Sequence, residues 1–583
     1  MKKGIIVVIV VLSVIILVFL GMLLWKKNEI FNTEIFKEEY KETFVGPDNW
    51  INEETLDNKV SIKNTRDFDI AVRITFEEKI LDNDNNDVHE ENINIEELFD
   101  KKIYDENWIK VDGDKEYYYY AYGLAKEEEI NLSQYLFLNN GDNIDNDLFD
   151  DKIYSIDTII EFIEYDSYIE GWNLVNDKNE KIVNIKKPLS NKDKIKLDEE
   201  MKMKEETMLF NDKIDRKLNN LTLEEKIGQM MIISLSKNDK RLKNEGINYN
   251  IDKLLNDIKP GGVIVETSDF ESRNVDEMIE LTKKIKDSSS IPIIISVDQE
   301  GGRVQRFNSL KDRYNNGITY IPAMDKIGNT NDKDIAYDTG RLIGMELNAL
   351  GFNMDFAPVL DTLYIDSNVI GDRSFGNNSE VVTKMGLSVA NGLQDRGIIP
   401  VYKHFPNHGS TSTDSHDGLP EVNRTKEELM KKDLISFKEA INSNAPVMMV
   451  GHLYYPEITD VPSSLSKEII TDLLKNELGF NGLVITDSLR MGAIINKYGE
   501  KEIYEMAINA GVDILLMPYN PDYAVNYIKE SIKNGKITEN QINNSVIKIL
   551  TLKYSYLKTD ECDKDILESE EYRELSDKIN KIE

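Results

Sequence analysis

The sequence predicts an α/β fold in which a (β/α)8 TIM barrel follows a transmembrane anchor and a small all-β, sandwich-like domain. Three observations support this prediction. The chain begins with a long apolar run, continues with strand-type segments separated by Asn, Asp and Gly, and then alternates short apolar runs with longer amphipathic stretches. At 583 residues, 40% of them hydrophobic, it has enough apolar material for two or three folded domains.

Composition argues against two kinds of function. The formal net charge of -35 argues against a nucleic-acid partner, because phosphates require a basic surface that no long stretch of this chain supplies. The single cysteine, Cys562, rules out an internal disulfide and a zinc cluster built from thiolates.

Residues 5–25 are an almost unbroken apolar run between two pairs of lysines, and their length suits a bilayer core better than a buried core helix. A cleaved signal would have a shorter apolar core and small residues at its cleavage site, whereas Leu24 and Trp25 lead directly into lysines. We therefore expect a single-pass anchor in the cell membrane, with the folded domains that follow it outside the cytoplasm. Lysines at both ends say little about orientation, so this placement rests partly on the activity inferred below.

Residues 40–185 have the pattern of a small β-sandwich, with apolar and aromatic runs separated by turn-forming residues. Four successive aromatic residues, Tyr117–Tyr120, would point to alternating faces of a strand, so we interpret them as core and cross-strand contacts. The stretch NTRDFDIAVRITFEE in this region resembles exported biofilm-matrix proteins of the camelysin type. Residues 186–218, rich in Lys, Glu and Asp, are predicted to form a charged helical linker.

Residues 219–560 are predicted to form the barrel, because short apolar runs alternate there with amphipathic stretches. Eight such units suit a closed barrel better than an open sheet. The candidate strands are IGQMMIIS, GGVIV, PIIISVD, FNMDFAP, IIPVYKHF, APVMMV, GLVITDS and GVDILLM. Residues 561–583 are predicted to be an acidic C-terminal tail.

Polar residues stand where these candidate strands end. Since active sites of such barrels are built at the carboxyl ends of the strands, these residues are predicted to lie around one cavity. They are Asp298, Asp355, Lys403, His404, His452 and Asp487.

Four of the five histidines, His404, His408, His416 and His452, fall within one fifty-residue stretch, which makes a metal site an alternative. His404 and His408 are four apart, as in helical zinc motifs. However, Pro406 between them would break the helix, and the glutamate of a zinc-hydrolase motif is missing. We therefore predict no metal site.

The segments KHFPNHGSTSTDSHDGLP and DQEGGRVQR resemble glycoside hydrolase family 3, in particular its single-barrel bacterial β-N-acetylglucosaminidases. TLEEKIGQM, NMDFAPVLD, GDRSFG and ITDSLRMGA also match, and the segments recur in order over about residues 220–520. Asn407 is a departure, because the family usually has Gly there. This difference could alter the backbone after Pro406.

Asp487 follows the apolar strand GLVIT, a position that projects a carboxylate onto the barrel rim, although an Asp there could also cap the next helix. The resemblance implies that Asp487 is the nucleophile of a retaining mechanism. It also implies that His416, paired with Asp414 on the loop after the fifth strand, is the acid/base. An imidazole titrates near neutrality, and a carboxylate beside it stabilises the charged form. The alternative for Asp414 and His416 is a plain surface turn.

The resemblance further implies a set of substrate-binding residues for the hydroxyls and the acetamido group of a sugar. These are Asp298, Arg306, Arg373, Lys403 and His404, and we expect His452 to line the same pocket. Asp298 and Arg306 could instead form an ion pair within a Gly-Gly turn. Asp355 and Asp361 are expected to hold the barrel rim together.

These expectations together describe a retaining glycoside hydrolase that removes β-linked N-acetylglucosamine (GlcNAc) from peptidoglycan-derived or related glycans, without a cofactor. One alternative is a β-glucosidase of the same family. Those enzymes generally take an acid/base Glu from a second αβα domain, for which residues 561–583 are too few. The other alternative is a catalytically inactive protein that binds the cell wall or a matrix.

Overall fold

The structure, a computed structural model, divides between residues 213 and 214 into two compact units, which we describe separately. The predicted anchor, residues 5–25, lies outside the described residues. Within the part that is described, no helix is both long and apolar enough to cross a membrane. The described residues are 36–45, 56–81, 99–103, 107–111, 117–138, 153–167, 172, 174, 185–235, 255–311, 318–413, 418–557, 562 and 564–582.

The N-terminal unit contains two antiparallel sheets. One has the strand order β1-β8-β3-β6-β5 and the other β2-β7-β4. The strands are β1 (Phe36–Val45), β2 (Leu56–Lys63), β3 (Ile70–Leu81), β4 (Phe99–Lys102), β5 (Trp108–Val111), β6 (Tyr117–Tyr120), β7 (Glu129–Leu138) and β8 (Ile153–Glu164).

One hydrophobic cluster joins the two sheets of this unit. Val60 and Leu132 of the three-stranded sheet are buried in the same cluster as Val72 and Phe162 of the five-stranded sheet. Along β6 the tyrosines alternate, so that Tyr120 belongs to this cluster while its neighbour Tyr119 belongs to a second one with Trp172. Alternation of this kind buries both faces of β6, which is the arrangement of a sandwich with an additional covered face.

The charged segment predicted as a helical linker contains one long helix, Asn191–Asn219.

The second unit contains a parallel eight-stranded sheet with the order β17-β16-β15-β14-β11-β10-β9-β18. A parallel bridge between Ile485 and Ile514 joins its two ends, and Thr486 N–H donates to the Ile514 carbonyl at 3.1 Å, so the sheet closes into a barrel. The strands are β9 (Met231–Ser234), β10 (Gly262–Ile264), β11 (Ile294–Val297), β14 (Met354–Asp355), β15 (Ile399–Phe405), β16 (Val447–Val450), β17 (Leu483–Thr486) and β18 (Leu515–Leu516), with a small hairpin, β12 (Gln299–Gly301) and β13 (Val304–Gln305), after β11.

All eight barrel strands predicted from the sequence are confirmed. Each is buried along its length, as expected for parallel strands covered on both faces. Helices lie between the strands, and side chains such as those of Thr222 and Asn274 cap their first turns. The principal helices are Leu223–Gln229, Val275–Asp287, Met324–Thr330, Lys333–Ala349, Ser379–Gln394, Ile435–Asn442, Glu500–Ala510, Pro521–Lys533 and Glu539–Tyr556, with π-helical segments Leu429–Asp433 and Glu468–Glu477.

The C-terminal segment differs from the predicted acidic tail. It contains a helix, Glu570–Ile579, whose Tyr572 and Ile579 are buried. The Tyr572 hydroxyl donates to Glu346 Oε1 at 2.7 Å, which ties this helix to the barrel helix Lys333–Ala349. Its apolar residues recur every three or four positions, a helical signal that the overall charge of the segment obscured.

Candidate active site

A cavity of about 530 Å³ lies at the carboxyl ends of the barrel strands. Its volume is within the range of about 300–1,000 Å³ typical of small-molecule sites. Five of the six residues predicted to bind substrate line it, together with the predicted nucleophile. The residues of the lining that define its chemistry are Asp298, Glu300, Arg306, Arg373, Lys403, His404, His408 and Asp487.

One wall of the cavity is a chain of alternating charges. Lys403, only 3% exposed, donates from Nζ to Asp298 Oδ1 at 2.8 Å and lies 2.6 Å from Glu300 Oε1. Arg373 donates two hydrogen bonds to the same glutamate, from Nε to Oε2 and from Nη2 to Oε1, both at 2.7 Å. Paired contacts of this kind hold each side chain in one orientation.

These groups stay charged although they are buried. Burial alone would raise the pKa of Glu300, but Arg373 and Lys403 hold it well below its usual range. Burial likewise opposes the charge on Lys403, and Asp298 and Glu300 nevertheless raise its pKa. Glu300 therefore cannot serve as a proton donor near neutral pH, and the wall presents a fixed pattern of charges to a ligand.

Arg306 Nη2 lies 3.4 Å from Asp298 Oδ2. The ion pair that was an alternative for these two residues is thus present. Both side chains also line the cavity, so the pairing does not remove them from a binding role.

His404 is held by a buried carboxylate. Asp361 accepts hydrogen bonds from His404 Nδ1 at 2.7 Å and from the His408 backbone N–H at 2.6 Å. Burial would raise the pKa of Asp361, but His404 lowers it, so the carboxylate is ionised and Nδ1 carries the proton. The ring is therefore fixed with Nε2 directed away from Asp361.

Asp487 follows β17 directly, as predicted. Its Oδ1 accepts a hydrogen bond from Ser488 N–H at 2.7 Å, and its own N–H donates to the Val450 carbonyl at 3.0 Å. Burial would raise the pKa of this carboxyl, but His404 and His452 lower it, so Asp487 is ionised. The next helix begins at Gly492 and its N-cap residue is Met491, so Asp487 does not cap this helix.

His452, which was expected to line the cavity, contacts the residue after Asp487 instead. It is fully buried and does not belong to the described lining of the cavity. Its Nε2 donates to the Ser488 carbonyl at 2.9 Å, and its Nδ1 shares a hydrogen bond with the Ser464 hydroxyl at 2.6 Å. The ring thus holds the backbone just after Asp487.

Two acidic residues of the rim were expected to be structural, and their contacts fit that role. Asp355 is buried and accepts a hydrogen bond from the Gln299 N–H at 3.0 Å, which fixes the start of the β12–β13 hairpin. Burial raises its pKa well above the usual range. Asp361, as described above, orients His404.

His408 had no role assigned from the sequence. It is buried, lines the cavity, and its ring meets that of His404 edge to face with centroids 5.7 Å apart. Among the described residues neither ring nitrogen has a hydrogen-bond partner. Burial and the neighbouring His404 lower its pKa, which favours a neutral ring.

The predicted acid/base pair, Asp414 and His416, lies within residues 414–417, outside the described residues, and stays a prediction. Glu300 was not predicted as part of the site, and Asp361 was predicted only as a structural residue of the rim. The one feature of the sequence that could have indicated Glu300 is its position, two residues after Asp298. Within the described part of the chain, no three His, Cys, Asp or Glu side chains converge as a metal site would require.

A closed parallel barrel with an ionised carboxylate, a fixed imidazole and ordered charges at the carboxyl ends of its strands defines a TIM-barrel enzyme with its active site at that rim. The chain belongs to glycoside hydrolase family 3, because the model described as Glycosyl hydrolase family 3 N terminal domain matches residues 222–552.

Relatives with established names support this assignment. The chain is 36% identical over 270 residues to a beta-hexosaminidase of Nitrosomonas eutropha, which covers 45% of this chain and 75% of that protein. It is 33% identical over 334 residues to beta-hexosaminidase A of Pseudoalteromonas piscicida, covering 52% of this chain and 54% of that protein. It thus spans about half the length of the Pseudoalteromonas protein.

A solved structure shows the same barrel. The family 3 beta-N-acetylglucosaminidase of Paenibacillus sp. str. FPU-7 superimposes with a TM-score of 0.54 at 32% sequence identity, covering 62% of this chain and 68% of that chain.

Proposed function

We propose that the protein is a retaining β-N-acetylglucosaminidase that removes β-linked GlcNAc from peptidoglycan-derived or related glycans. The observation that carries this proposal is Asp487, an ionised carboxylate beside the fixed ring of His404 in a polar cavity. The names of the relatives, beta-hexosaminidase and beta-N-acetylglucosaminidase, support the choice of sugar.

The reaction is a double displacement. Ser488 N–H holds Asp487 Oδ1, so Oδ2 is the oxygen that attacks the anomeric carbon. The bond from that carbon to the leaving oxygen breaks, and the leaving oxygen takes a proton from His416. Water then attacks the same carbon and gives a proton to His416 as the bond to Oδ2 breaks, which releases GlcNAc.

The charged wall binds and orients the sugar. Lys403 and Arg306 are donors, Asp298 is an acceptor, and each is held by a neighbour of opposite charge. Sugar hydroxyls both donate and accept hydrogen bonds. A wall that offers both donors and acceptors therefore suits a sugar better than it suits an apolar ligand. No cofactor is needed for this chemistry.

We also propose that residues 5–25 anchor the protein in the cell membrane and that the barrel lies outside the cytoplasm. The apolar run supports the anchor, and a wall-derived substrate supports the location.

Hydrolysis of aryl β-GlcNAc tests the chemistry. Asp487→Ala should lower kcat by about 10³-fold or more, because it removes the nucleophile. His416→Ala should lower kcat/KM by about 10²- to 10⁴-fold, because it removes the acid/base. Asp522→Asn, an exposed carboxylate in the first turn of the helix Pro521–Lys533, is the control and should retain activity. Full activity in either of the first two variants would refute the role assigned to that residue.

A second measurement identifies the sugar and the nucleophile together. A mechanism-based fluorosugar of the GlcNAc type should label the peptide that contains Asp487. Faster turnover of aryl β-glucoside than of aryl β-GlcNAc would instead favour the β-glucosidase alternative. Glycan binding without turnover of either substrate would favour the inactive wall-binding alternative.

A further inference from the structure

Asn407, the residue that departs from the family pattern, is a buried cross-link. The two N–H groups of its Nδ2 are shared among three acceptors at 3.0–3.2 Å, the Thr362 carbonyl, Ser410 Oγ and Asp433 Oδ1, and its Oδ1 accepts from Thr362 N–H at 2.8 Å. Its φ of 172° is extended backbone that any residue adopts, so the position does not require glycine. The side chain adds hydrogen bonds that a glycine could not make.

Asp433, the acceptor in this network, is fully buried at the end of the π-helical segment Leu429–Asp433. Its Oδ1 accepts from Asn407 and from the Ser410 hydroxyl, both on the chain that leads into residues 414–417. Its Oδ2 lies 3.3 Å from Nε of Arg424, on the chain that leaves that segment. One buried carboxylate therefore contacts both flanks of the same short segment, by hydrogen bonds on one side and by an ion pair on the other.

Backbone contacts hold the two flanks to the barrel as well. On the entering side, Tyr364 N–H donates to the Gly409 carbonyl at 2.9 Å, and a Cβ at Gly409 would collide with the Thr362 carbonyl. On the leaving side, Val422 N–H donates to the Tyr454 carbonyl at 2.8 Å. Asp433 contacts both of these sides through its side chain.

We propose that Asp433 is a positioning residue for the acid/base pair, acting through Asn407 and Ser410 on one flank and through Arg424 on the other. This inference rests on the proposed function of His416 and deepens it. The carboxylate fixes the distance between the two points from which the segment carrying Asp414 and His416 departs. Loss of its charge would leave Arg424 without its counter-charge and weaken the contact between the flanks.

Leaving-group dependence distinguishes positioning of an acid from general damage. A poor leaving group needs a proton from the acid, whereas dinitrophenolate leaves without one. A variant with a misplaced His416 loses activity mainly on the poor leaving group. A variant that is only partly folded loses the same fraction of activity on both substrates.

The test measures kcat/KM for 2,4-dinitrophenyl and alkyl β-GlcNAc in the full chain and in Asp433→Asn, with Asn407→Gly as a milder second variant. We expect Asp433→Asn to lower the value for the alkyl glycoside by about tenfold or more and that for the dinitrophenyl glycoside by less than about threefold. Asn407→Gly should shift the ratio in the same direction. The control is Asp513→Asn, a buried carboxylate bonded to Val484 N–H and Ser545 that should reduce both values equally.

Amide hydrogen exchange gives a second readout that does not depend on turnover. Exchange in peptides covering residues 407–424 should accelerate in Asp433→Asn and not in Asp513→Asn. If the parent protein is active, equal losses on both substrates in Asp433→Asn would overturn the role of Asp433. Unchanged exchange in residues 407–424 of that variant would overturn it as well. A parent protein that cleaves neither substrate would instead overturn the proposed function, and exchange would still decide whether Asp433 holds the flanks.

Discussion

At the scale of single residues, Lys403 keeps its charge in the barrel because two carboxylates flank it. Burial would otherwise lower its pKa, and Asp298 and Glu300 raise it. Glu300 is in turn shared with Arg373, so four side chains depend on one another for charge compensation. A buried charge that loses its partner is costly, which makes Glu300 the critical member of the wall.

Replacing Glu300 with Gln should destabilise the protein by about 3 kcal/mol or more, because Arg373 and Lys403 lose their shared counter-charge. Activity on aryl β-GlcNAc should fall as well, since the wall loses its fixed geometry. Chemical denaturation measures the first effect and steady-state kinetics the second.

Glu571→Gln is the matched control for Glu300→Gln. Glu571 pairs with Arg341 and Arg396 at a partly exposed position, where ion pairs contribute less than about 1 kcal/mol. Equal losses of stability in the two variants would contradict the importance of burial.

At the scale of elements, the contact between the helix Lys333–Ala349 and the C-terminal helix Glu570–Ile579 centres on Glu346. This residue is fully buried, and its Oε1 accepts hydrogen bonds from the Tyr572 hydroxyl and from Thr319 N–H, both at 2.7 Å. Burial raises its pKa to about 7, because the charged form is poorly solvated there.

The raised pKa of Glu346 predicts a stability that falls as pH rises. The folded state binds the proton more tightly than the unfolded chain does. The contribution of Glu346 to the free energy of unfolding is therefore complete below about pH 4.5 and is lost as the pH rises from there to about 7. The loss should be about 3 kcal/mol. Glu346→Gln, which cannot ionise, should therefore be more stable relative to the parent at pH 8.5 than at pH 5.5. The free energy of unfolding of both proteins is measured from unfolding curves at the two pH values. An equal difference between variant and parent at both would rule out this titration.

At the scale of the whole molecule, the formal net charge of -35 opposes adhesion to anionic lipid and to other anionic surfaces. Overall charge therefore does not favour membrane binding, and the proposed anchor rests on the apolar run at residues 5–25.

The full chain should sediment with membranes and be released by detergent but not by high salt, whereas a variant lacking residues 1–27 should remain in the supernatant. Added protease should digest the barrel on intact cells if it faces outward. A full chain found in the supernatant would contradict the anchor, and protection from protease on intact cells would contradict the orientation.

Much of the fold could be predicted because a parallel barrel strand is buried on both faces and appears in the sequence as a short apolar run. The same logic located Asp298, Lys403, His404 and Asp487, since each polar residue directly follows such a run. His452 also follows an apolar run, yet its ring turns into the core. Position at a strand end therefore predicts proximity to the rim but not the direction of a side chain.

The sequence by itself determined the βα order of the barrel, the family motifs and which strand ends carry polar groups, because these depend on local periodicity and local residue types. Only the tertiary structure decided which charges meet. Glu300 pairs with Arg373, Asp361 orients His404, and the chains on both sides of residues 414–417 meet at one buried carboxylate. Such partners are separated along the chain and come together only when the barrel closes. Their compensation depends on distance and burial, which no local pattern encodes.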